Sequence, residues 1–141
     1  MIKDNLIMLR KLNGYSQEQV AEKIDISRQA YAKWESGATI PDLNKATLIA
    51  KLYGVSLDSL VSTQEIEGLG TLPPAPVGKN IWGSVNLGER GQIVIPKQAR
   101  EKLGLEIGDR LIILSDEVGV ALLPAEAFEK QIEDLKRRLE N

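Results

Sequence analysis

The sequence predicts a two-domain protein, in which an all-α domain of five helices precedes a β-rich domain that ends in a helix. Three observations support this fold class. Apolar residues recur at helical spacing over residues 1–62. Glycine and proline interrupt every period over residues 63–80. Short β-type runs then fill residues 81–124, before an amphipathic segment at residues 125–141.

Each of the five N-terminal helices is predicted from an apolar stripe and from the polar residue that opens it. Gln19 lies three residues after Ser16, the residue that opens the second helix, and the two complete a capping box. Gly14 and Gly37 follow the first and third helices, where glycine readily adopts the left-handed conformation that ends a helix. The side chains that open the second to fifth helices are Ser16, Ser27, Asp42 and Ser56.

Residues 63–80 are interpreted as a flexible linker. They contain Gly68, Gly70 and Gly78 together with three prolines, and they show neither a helical nor a strand period. A flexible segment of this length spans about 23 Å, which would let two domains reorient.

Four short strands and one helix are predicted after the linker. Pro96 suits the first turn of that helix and Gly104 ends it. Strands this short bury little apolar surface by themselves, so the pattern favours pairing with a second chain. The strands are expected at residues 81–87, 92–95, 110–114 and 118–123.

The C-terminal segment, residues 125–141, places Phe128, Ile132, Leu135 and Leu139 at spacings of four, three and four. This spacing is typical of the a/d seam of a short coiled coil. It also fits a helix that packs on the preceding strands, because two heptads are too few to decide. Both interpretations stay open from the sequence.

The composition excludes several classes of function. The chain has no Cys and no His, which removes disulfides, thiolate metal sites and the usual general base. We expect no cofactor, no metal and no enzyme, because a phosphate-binding glycine loop and a catalytic triad are also missing from the sequence. No apolar run reaches the roughly 20 residues of a membrane span, and the first residues do not resemble an export signal.

Charge is distributed unevenly over a chain whose net charge is −2. Residues 1–62 carry 8 Lys and Arg against 7 Asp and Glu, whereas residues 63–141 carry 10 against 13. Without a global basic field, any surface that faces DNA has to gather its charge locally.

Residues 17–35 read QEQVAEKIDISRQAYAKWE and resemble the helix-turn-helix of the lambda-repressor-like (Cro/Xre) family. The similarity extends over about the first 62 residues. Ala21 fits the close approach of the two helices. Asp25 stands at the tight turn, where family members often carry glycine, and Asp tolerates a positive φ better than most other residues do.

This resemblance implies that the second helix of the motif lies in the major groove with its first residues against base edges. Arg28 and Gln29 are then the leading base readers, because their side chains match the hydrogen-bonding edges of guanine and adenine. Lys33 lies one turn further on and would touch a base or a phosphate. Gln17 corresponds to the phosphate clamp of the family, a role that Ser27 would share.

A plainer interpretation treats these polar residues as the solvated face of an amphipathic helix. The complete motif favours DNA contact instead. Tyr31 and Trp34 are expected in the core, because aromatic residues at helical spacing usually are.

Residues 85–105 read VNLGERGQIVIPKQAREKLGL and resemble the AbrB/MazE/SpoVT swapped-hairpin family, with similarity over about residues 81–124. In that family two chains exchange hairpins to form one barrel, so the resemblance implies an obligate homodimer. The residues that would line the barrel are Leu87, Ile93, Ile95, Leu103, Leu105, Ile107, Leu111, Ile113, Val120 and Leu122.

AbrB-like proteins can also bind DNA through arginines near these loops. Only Arg100 stands where such an arginine is expected, since Gln92 and Glu101 occupy the other positions. Dimerisation is therefore the expected main task of this domain. Arg90, Lys97 and Arg100 are expected as secondary phosphate contacts.

Together these features predict a bacterial, cytoplasmic and nucleoid-associated regulator that binds double-stranded DNA as a homodimer, with a tetramer possible. A repressor acting on an inverted-repeat operator is the favoured function. One alternative is the DNA-binding antitoxin of a toxin-antitoxin pair, with a toxin as partner. Another is a protein-interaction scaffold whose helical domain does not read DNA.

Overall fold

A computed structural model describes residues 1–140. The chain forms two compact units, Met1–Asn86 and Leu87–Asn141. The first unit is helical with one small hairpin, and the second combines a hairpin with two helices. The predicted fold class is confirmed at this level: a helical helix-turn-helix region precedes a β-containing region with a final helix. Of the helices in the described residues, none is both long and apolar enough to cross a membrane.

Five helices build the first unit, and the second to fifth begin at the predicted caps. The first helix begins after Met1 without a side-chain cap, so the prediction of a polar opener is wrong there. The side chains of Ser16, Ser27, Asp42 and Ser56 each accept a hydrogen bond from the backbone amide three residues further on. Ser16 and Gln19 form the complete capping box. The helices are α1 (Ile2–Leu12), α2 (Gln17–Lys23), α3 (Arg28–Ser36), α4 (Leu43–Tyr53) and α5 (Leu57–Val61).

The core of the first unit collects one stripe from each helix. Fully burying a large apolar side chain contributes about 1.5–3 kcal/mol, so the stripes together dominate the stability of this unit. Tyr31 and Trp34 belong to this core, as the sequence predicts, and their rings meet edge to face with centroids 6.0 Å apart. The most deeply buried large apolar side chains are Leu6, Val20, Tyr31, Ile49 and Leu60.

Residues 63–80, which the sequence predicts as a linker without strands, contain a hairpin, so that part of the prediction is wrong. Strands β1 (Gln64–Ile66) and β2 (Gly70–Leu72) pair antiparallel. Further on, the amide of Val77 donates to the carbonyl of Gly54 over 2.8 Å, and Ala75 is buried. Strands of three residues are too short to show a period of two in the sequence, and so the pattern missed them.

The second unit contains two of the four predicted strands and both predicted helices. Strands β3 (Leu111–Ser115) and β4 (Val120–Pro124) pair antiparallel, with Ile113 opposite Leu122. In the turn between them, Asp116 accepts hydrogen bonds from the amides of Val118 and Gly119. The elements are α6 (Lys97–Leu103), β3 (Leu111–Ser115), β4 (Val120–Pro124) and α7 (Ala125–Glu140). The final residue of the predicted C-terminal helix, Asn141, lies outside the described residues.

The strands predicted at residues 81–87 and 92–95 do not form in the single chain, and this prediction is wrong at the level of one molecule. A strand requires a neighbour for its backbone hydrogen bonds. Here the amide of Gly88 closes a local turn by donating to the carbonyl of Gln92 over 2.8 Å. The remaining backbone groups of these residues find no strand partner within the described chain.

The apolar residues of the second unit are mostly exposed. Ala99 is its one buried hydrophobic residue among those described. Of the side chains expected to line a barrel, Leu87, Ile113 and Val120 are 72%, 67% and 68% exposed, and Ile107 is fully exposed. A single copy therefore leaves its main apolar face uncovered.

Candidate nucleic-acid interface

The turn between α2 and α3 has the geometry that the sequence predicts. Asp25 adopts φ 56°, the single positive φ of a non-glycine residue in the described chain. Ala21 is 2% exposed, and its carbonyl accepts a hydrogen bond from the amide of Ile26 over 2.9 Å. A larger side chain than that of Ala21 would push the two helices apart. This turn sets the angle at which α3 leaves α2.

Helix α3 has two chemically different faces. Tyr31, Trp34 and Glu35 are buried on the inner face. Arg28 and Gln29, at the start of the helix, and Lys33, one turn later, are exposed. All three predicted reading residues are therefore accessible, and Gln29 and Lys33 lie four residues apart on one face of the helix.

Ser27 contributes to this surface through its position at the start of α3. Its hydroxyl oxygen accepts a hydrogen bond from the amide of Ala30 over 3.1 Å. The hydroxyl proton remains available, because the cap uses the oxygen only as an acceptor. Ser27 can therefore cap the helix and still donate to an external oxygen.

Gln17 is held by a buried ion pair that joins α1 to α3. Arg10 donates two hydrogen bonds to the carboxylate of Glu35, one from Nε at 2.6 Å and the other from its terminal nitrogen at 3.1 Å. The side-chain amide of Gln17 donates to the same carboxylate over 3.0 Å. An amide nitrogen has two hydrogens, so Gln17 keeps a second donor for another acceptor.

Arg10 and Glu35 are functional candidates that the sequence reasoning missed. The sequence contained a signal for them, because Arg10 follows Leu6 by four residues and Glu35 follows Tyr31 by four residues. Each charged residue thus falls on a buried stripe, one turn from a core residue. Charged residues are rarely buried without a partner, so the two stripes together predict an ion pair.

Electrostatics favour the charged form of this cluster. Burial disfavours a charged carboxylate, but the hydrogen bonds from Arg10 and Gln17 outweigh it and hold the pKa of Glu35 below its ordinary value. The hydrogen bond from Arg10 to Glu35 likewise raises the pKa of Arg10. Both groups stay ionised near neutral pH, and the anchor for Gln17 is permanent there.

Lys45 of α4 supports the turn of the motif from behind, which the sequence reasoning also missed. Its ammonium group donates to the carbonyl of Ile24 over 3.1 Å and to that of Asp25 over 3.5 Å. These carbonyls follow the last turn of α2, where a positive charge is favourable.

The second unit offers the three cationic residues predicted as secondary contacts. Arg90 is exposed in the turn before residue 92. Lys97 lies 3.8 Å from the carboxylate of Glu101, and Arg100 donates to the carbonyl of Ile95 over 3.0 Å. All three side chains are exposed, and two already have a partner within their own unit.

Comparisons with known proteins agree with the division into two regions. The sequence profile described as Helix-turn-helix matches residues 6–60. A regulator from Methanocaldococcus jannaschii, the uncharacterized HTH-type transcriptional regulator MJ0272, is 33% identical over 66 residues, which is all of that protein and 47% of this chain. The chain belongs to the HTH-type transcriptional regulators.

Other members of this family include both an activator and a repressor. The HTH-type transcriptional activator BcrR of Enterococcus faecalis is 38% identical over 63 residues, 45% of this chain and 31% of BcrR. The cryptic phage CTXphi transcriptional repressor RstR of Vibrio cholerae is 37% identical over 59 residues, 42% of this chain and 53% of RstR. The chain thus spans about a third of the length of BcrR and about half of the length of RstR.

The second region matches a different family. The sequence profile described as Antidote-toxin recognition MazE, bacterial antitoxin, matches residues 87–129. The two resemblances identified from the sequence are therefore both confirmed, in the expected order along the HTH-type chain. No group of carboxylates in residues 1–140 is arranged to hold a metal ion.

Proposed function

We propose that this protein is a sequence-specific DNA-binding transcription regulator that acts as a repressor. The observation that carries the proposal is the accessible part of α3: Arg28, Gln29 and Lys33 are exposed, while other residues of the same helix are buried in the core. A helix held in this way can enter the major groove without unfolding. Arg28 pairs with guanine and Gln29 with adenine, each contact discriminating by about 1–3 kcal/mol.

Phosphate contacts position this helix on the duplex. Gln17 donates its free amide hydrogen to a phosphate oxygen, while the Arg10–Glu35 pair holds the other hydrogen. Ser27 donates its hydroxyl proton to the same strand. These contacts carry no sequence information, but they set the register in which Arg28 and Gln29 read.

The second unit joins two copies into a homodimer by exchanging hairpins into one barrel. Two findings support this proposal: the exposed apolar residues of the unit, and the strand-like residues 81–95 that lack a neighbour in one chain. Two recognition helices would then read an inverted repeat in the nucleoid, with half-sites about 34 Å apart or a multiple of it. Arg90, Lys97 and Arg100 add secondary phosphate contacts.

Selection of bound DNA from a random pool tests the reading residues. The wild-type protein should enrich an inverted repeat, and the Arg28→Ala/Gln29→Ala variant should lose this enrichment while keeping its oligomeric mass. Lys51→Ala, an exposed cation on α4, is the matched control and should enrich the same sequence. Enrichment by neither wild type nor control would instead favour the scaffold function.

Salt dependence gives a second measurement on the same proteins. Binding of the selected sequence should weaken steeply as salt rises, because each phosphate that a cationic side chain neutralises releases counterions. Gln17→Ala should weaken binding by a similar factor for all sequences and leave the slope of log Kd against log salt almost unchanged, because its neutral amide displaces no counterion. A loss of affinity confined to the selected sequence, or no loss at all, would remove Gln17 from the phosphate contacts.

A second candidate function is that of an antitoxin that also binds DNA. The match of residues 87–129 to a profile named for MazE antitoxins favours it. In this case a toxin would cover part of the exposed apolar surface of the second unit. Purification from the native host should then yield a stoichiometric small partner protein, which a repressor acting alone would lack.

A further inference from the structure

The C-terminal helix presents an apolar stripe that its own chain leaves uncovered. Helix α7 contacts β3 and β4, and Phe128 and Ile132 near its start are half-buried. Leu135 and Leu139 continue the same stripe, and they are 52% and 78% exposed. Within Ala125–Glu140 no residue is fully buried. Exposed leucines on one helix face are unfavourable in water, so we expect another apolar surface to cover this stripe.

We propose that this stripe pairs with the same stripe of a second copy, in antiparallel orientation. The spacing makes Phe128 and Leu135 d positions, and Ile132 and Leu139 a positions, of two heptads. In an antiparallel pair each a position faces a d position. Full overlap places Phe128 opposite Leu139 of the second copy and Ile132 opposite its Leu135, so that all four layers are filled.

The charges beside the seam select this orientation. Glu129 and Lys136 both occupy e positions, and e positions face each other in an antiparallel pair. With full overlap, Glu129 lies beside Lys136 of the second copy, and the two-fold symmetry repeats the pair. On the other side of the seam, Gln131 meets Arg138, whose guanidinium can donate to the amide oxygen.

Other arrangements lose this complementarity. In a parallel pair an e position faces a g position, so Lys136 would lie beside the neutral Gln131 and Glu129 beside Pro124. An antiparallel pair shifted by one heptad would bring Glu129 against Glu129, or Lys136 against Lys136. Like charges in these positions repel, and so the charges specify both the orientation and the register.

Cross-linking tests the arrangement directly, because the chain contains no Cys. Two full-length chains with different tags are co-expressed, one carrying Gln131→Cys and the other Arg138→Cys, and treated with a short thiol-specific cross-linker. The antiparallel pair predicts a covalent species that contains both tags. Each single-cysteine protein expressed alone is the matched control, and it should yield little cross-linked product.

Charge reversal on this background tests the role of the e positions. Adding Glu129→Lys to both chains should lower the equilibrium for pairing about fivefold to tenfold, since two attractive contacts become repulsive. Adding Lys136→Glu as well should restore the wild-type yield, because the pair is reversed and not removed. Circular dichroism shows whether each variant keeps its helices.

Two results would overturn the proposal. Cross-linking between Gln131→Cys and Lys136→Cys chains, in place of Gln131→Cys and Arg138→Cys chains, would indicate a parallel pair. No cross-linking in any preparation would mean that the hairpin of the same chain or a different protein covers the stripe. DNA binding measured on the same preparations depends on the first unit, so it separates a failure of this proposal from a failure of the proposed function.

Discussion

The two units of the molecule solve the problem of burying apolar surface in different ways. The first unit closes its own core, in which Leu6, Tyr31 and Ile49 have no exposed surface. The second unit buries one alanine and leaves Ile107 and Ile113 in solvent. Both units have apolar residues at regular positions in the sequence, at helical spacing in the first unit and largely in strand-like runs in the second. The difference shows that an apolar pattern indicates which residues will be covered, but not which chain covers them.

The largest expected effect concerns the core of the first unit. Tyr31→Ala should lower the free energy of unfolding of that unit by about 3–5 kcal/mol, because it removes a fully buried ring. Urea titration followed by tryptophan fluorescence, with Trp82 replaced by Phe in both proteins so that only Trp34 reports, measures the change. Leu43→Ala is the control, since this side chain is 69% exposed and should change stability by less than about 0.5 kcal/mol.

A smaller effect is expected if the apolar residues of the second unit are buried against a second copy of the chain. Ile113→Asp should weaken dimerisation about a hundredfold or more, because it places a charge in the proposed interface. Solution mass as a function of concentration measures this. Val118→Asp, in the turn of the same hairpin and 96% exposed, should leave the mass unchanged. A dimer that tolerates Ile113→Asp would show that the two units do not differ in the proposed way.

The ion pair of the first unit gives a smaller effect that depends on pH. Glu35→Gln should destabilise the unit by about 2–4 kcal/mol at pH 7, less than for a fully enclosed pair, because Arg10 retains some solvent contact. The folded pKa of Glu35 is depressed, so its contribution is complete above about pH 4.5 and is lost as the pH falls through the lower folded value.

Urea titrations between pH 7 and pH 3 measure that contribution. The difference in stability between wild type and Glu35→Gln should shrink as the pH falls. Glu18→Gln, at an exposed position of α2, is the control and should show a much smaller difference at all pH values. A difference between wild type and Glu35→Gln that does not change with pH would contradict an ionised Glu35.

The smallest effect is expected at the turn of the motif. Asp25→Gly should stabilise the first unit by about 0.5 kcal/mol, because glycine adopts a positive φ without steric cost while the unfolded chain gains some freedom. Asp25→Val should instead destabilise it by more than about 1 kcal/mol. Thermal unfolding of the two variants side by side measures the order. A valine variant as stable as wild type would mean that the backbone at this turn relaxes.

Local chemistry made the first unit readable from the sequence. Ser16, Ser27, Asp42 and Ser56 each act within three residues of themselves, so their capping role needs no knowledge of the rest of the fold. The same holds for Gln29 and Lys33, which lie four residues apart on the side of α3 away from the buried residues, whereas Arg28 lies three residues before the buried Tyr31 and is exposed because it begins the helix. The DNA contacts of these side chains remain a prediction.

Contacts between distant residues escaped this kind of reasoning. The ion pair joins Arg10 to Glu35, and Lys45 reaches the turn at Ile24 across twenty-one positions of sequence. The hairpin of residues 64–72 was missed because its strands are too short to show a period. The strands predicted at 81–87 and 92–95 failed for the opposite reason, since a strand-like pattern does not guarantee a neighbouring strand.

By itself, the amino-acid sequence determined where most of the helices begin, the order of the two regions and which apolar side chains are expected to become buried. These properties depend on interactions within one or two turns of chain. Only the tertiary structure decided that Glu35 is ionised between Arg10 and Gln17, that residues 64–72 form a hairpin and that the second unit stays open in a single copy. Burial and hydrogen-bond pairing depend on which distant groups meet in space, and periodicity does not encode that.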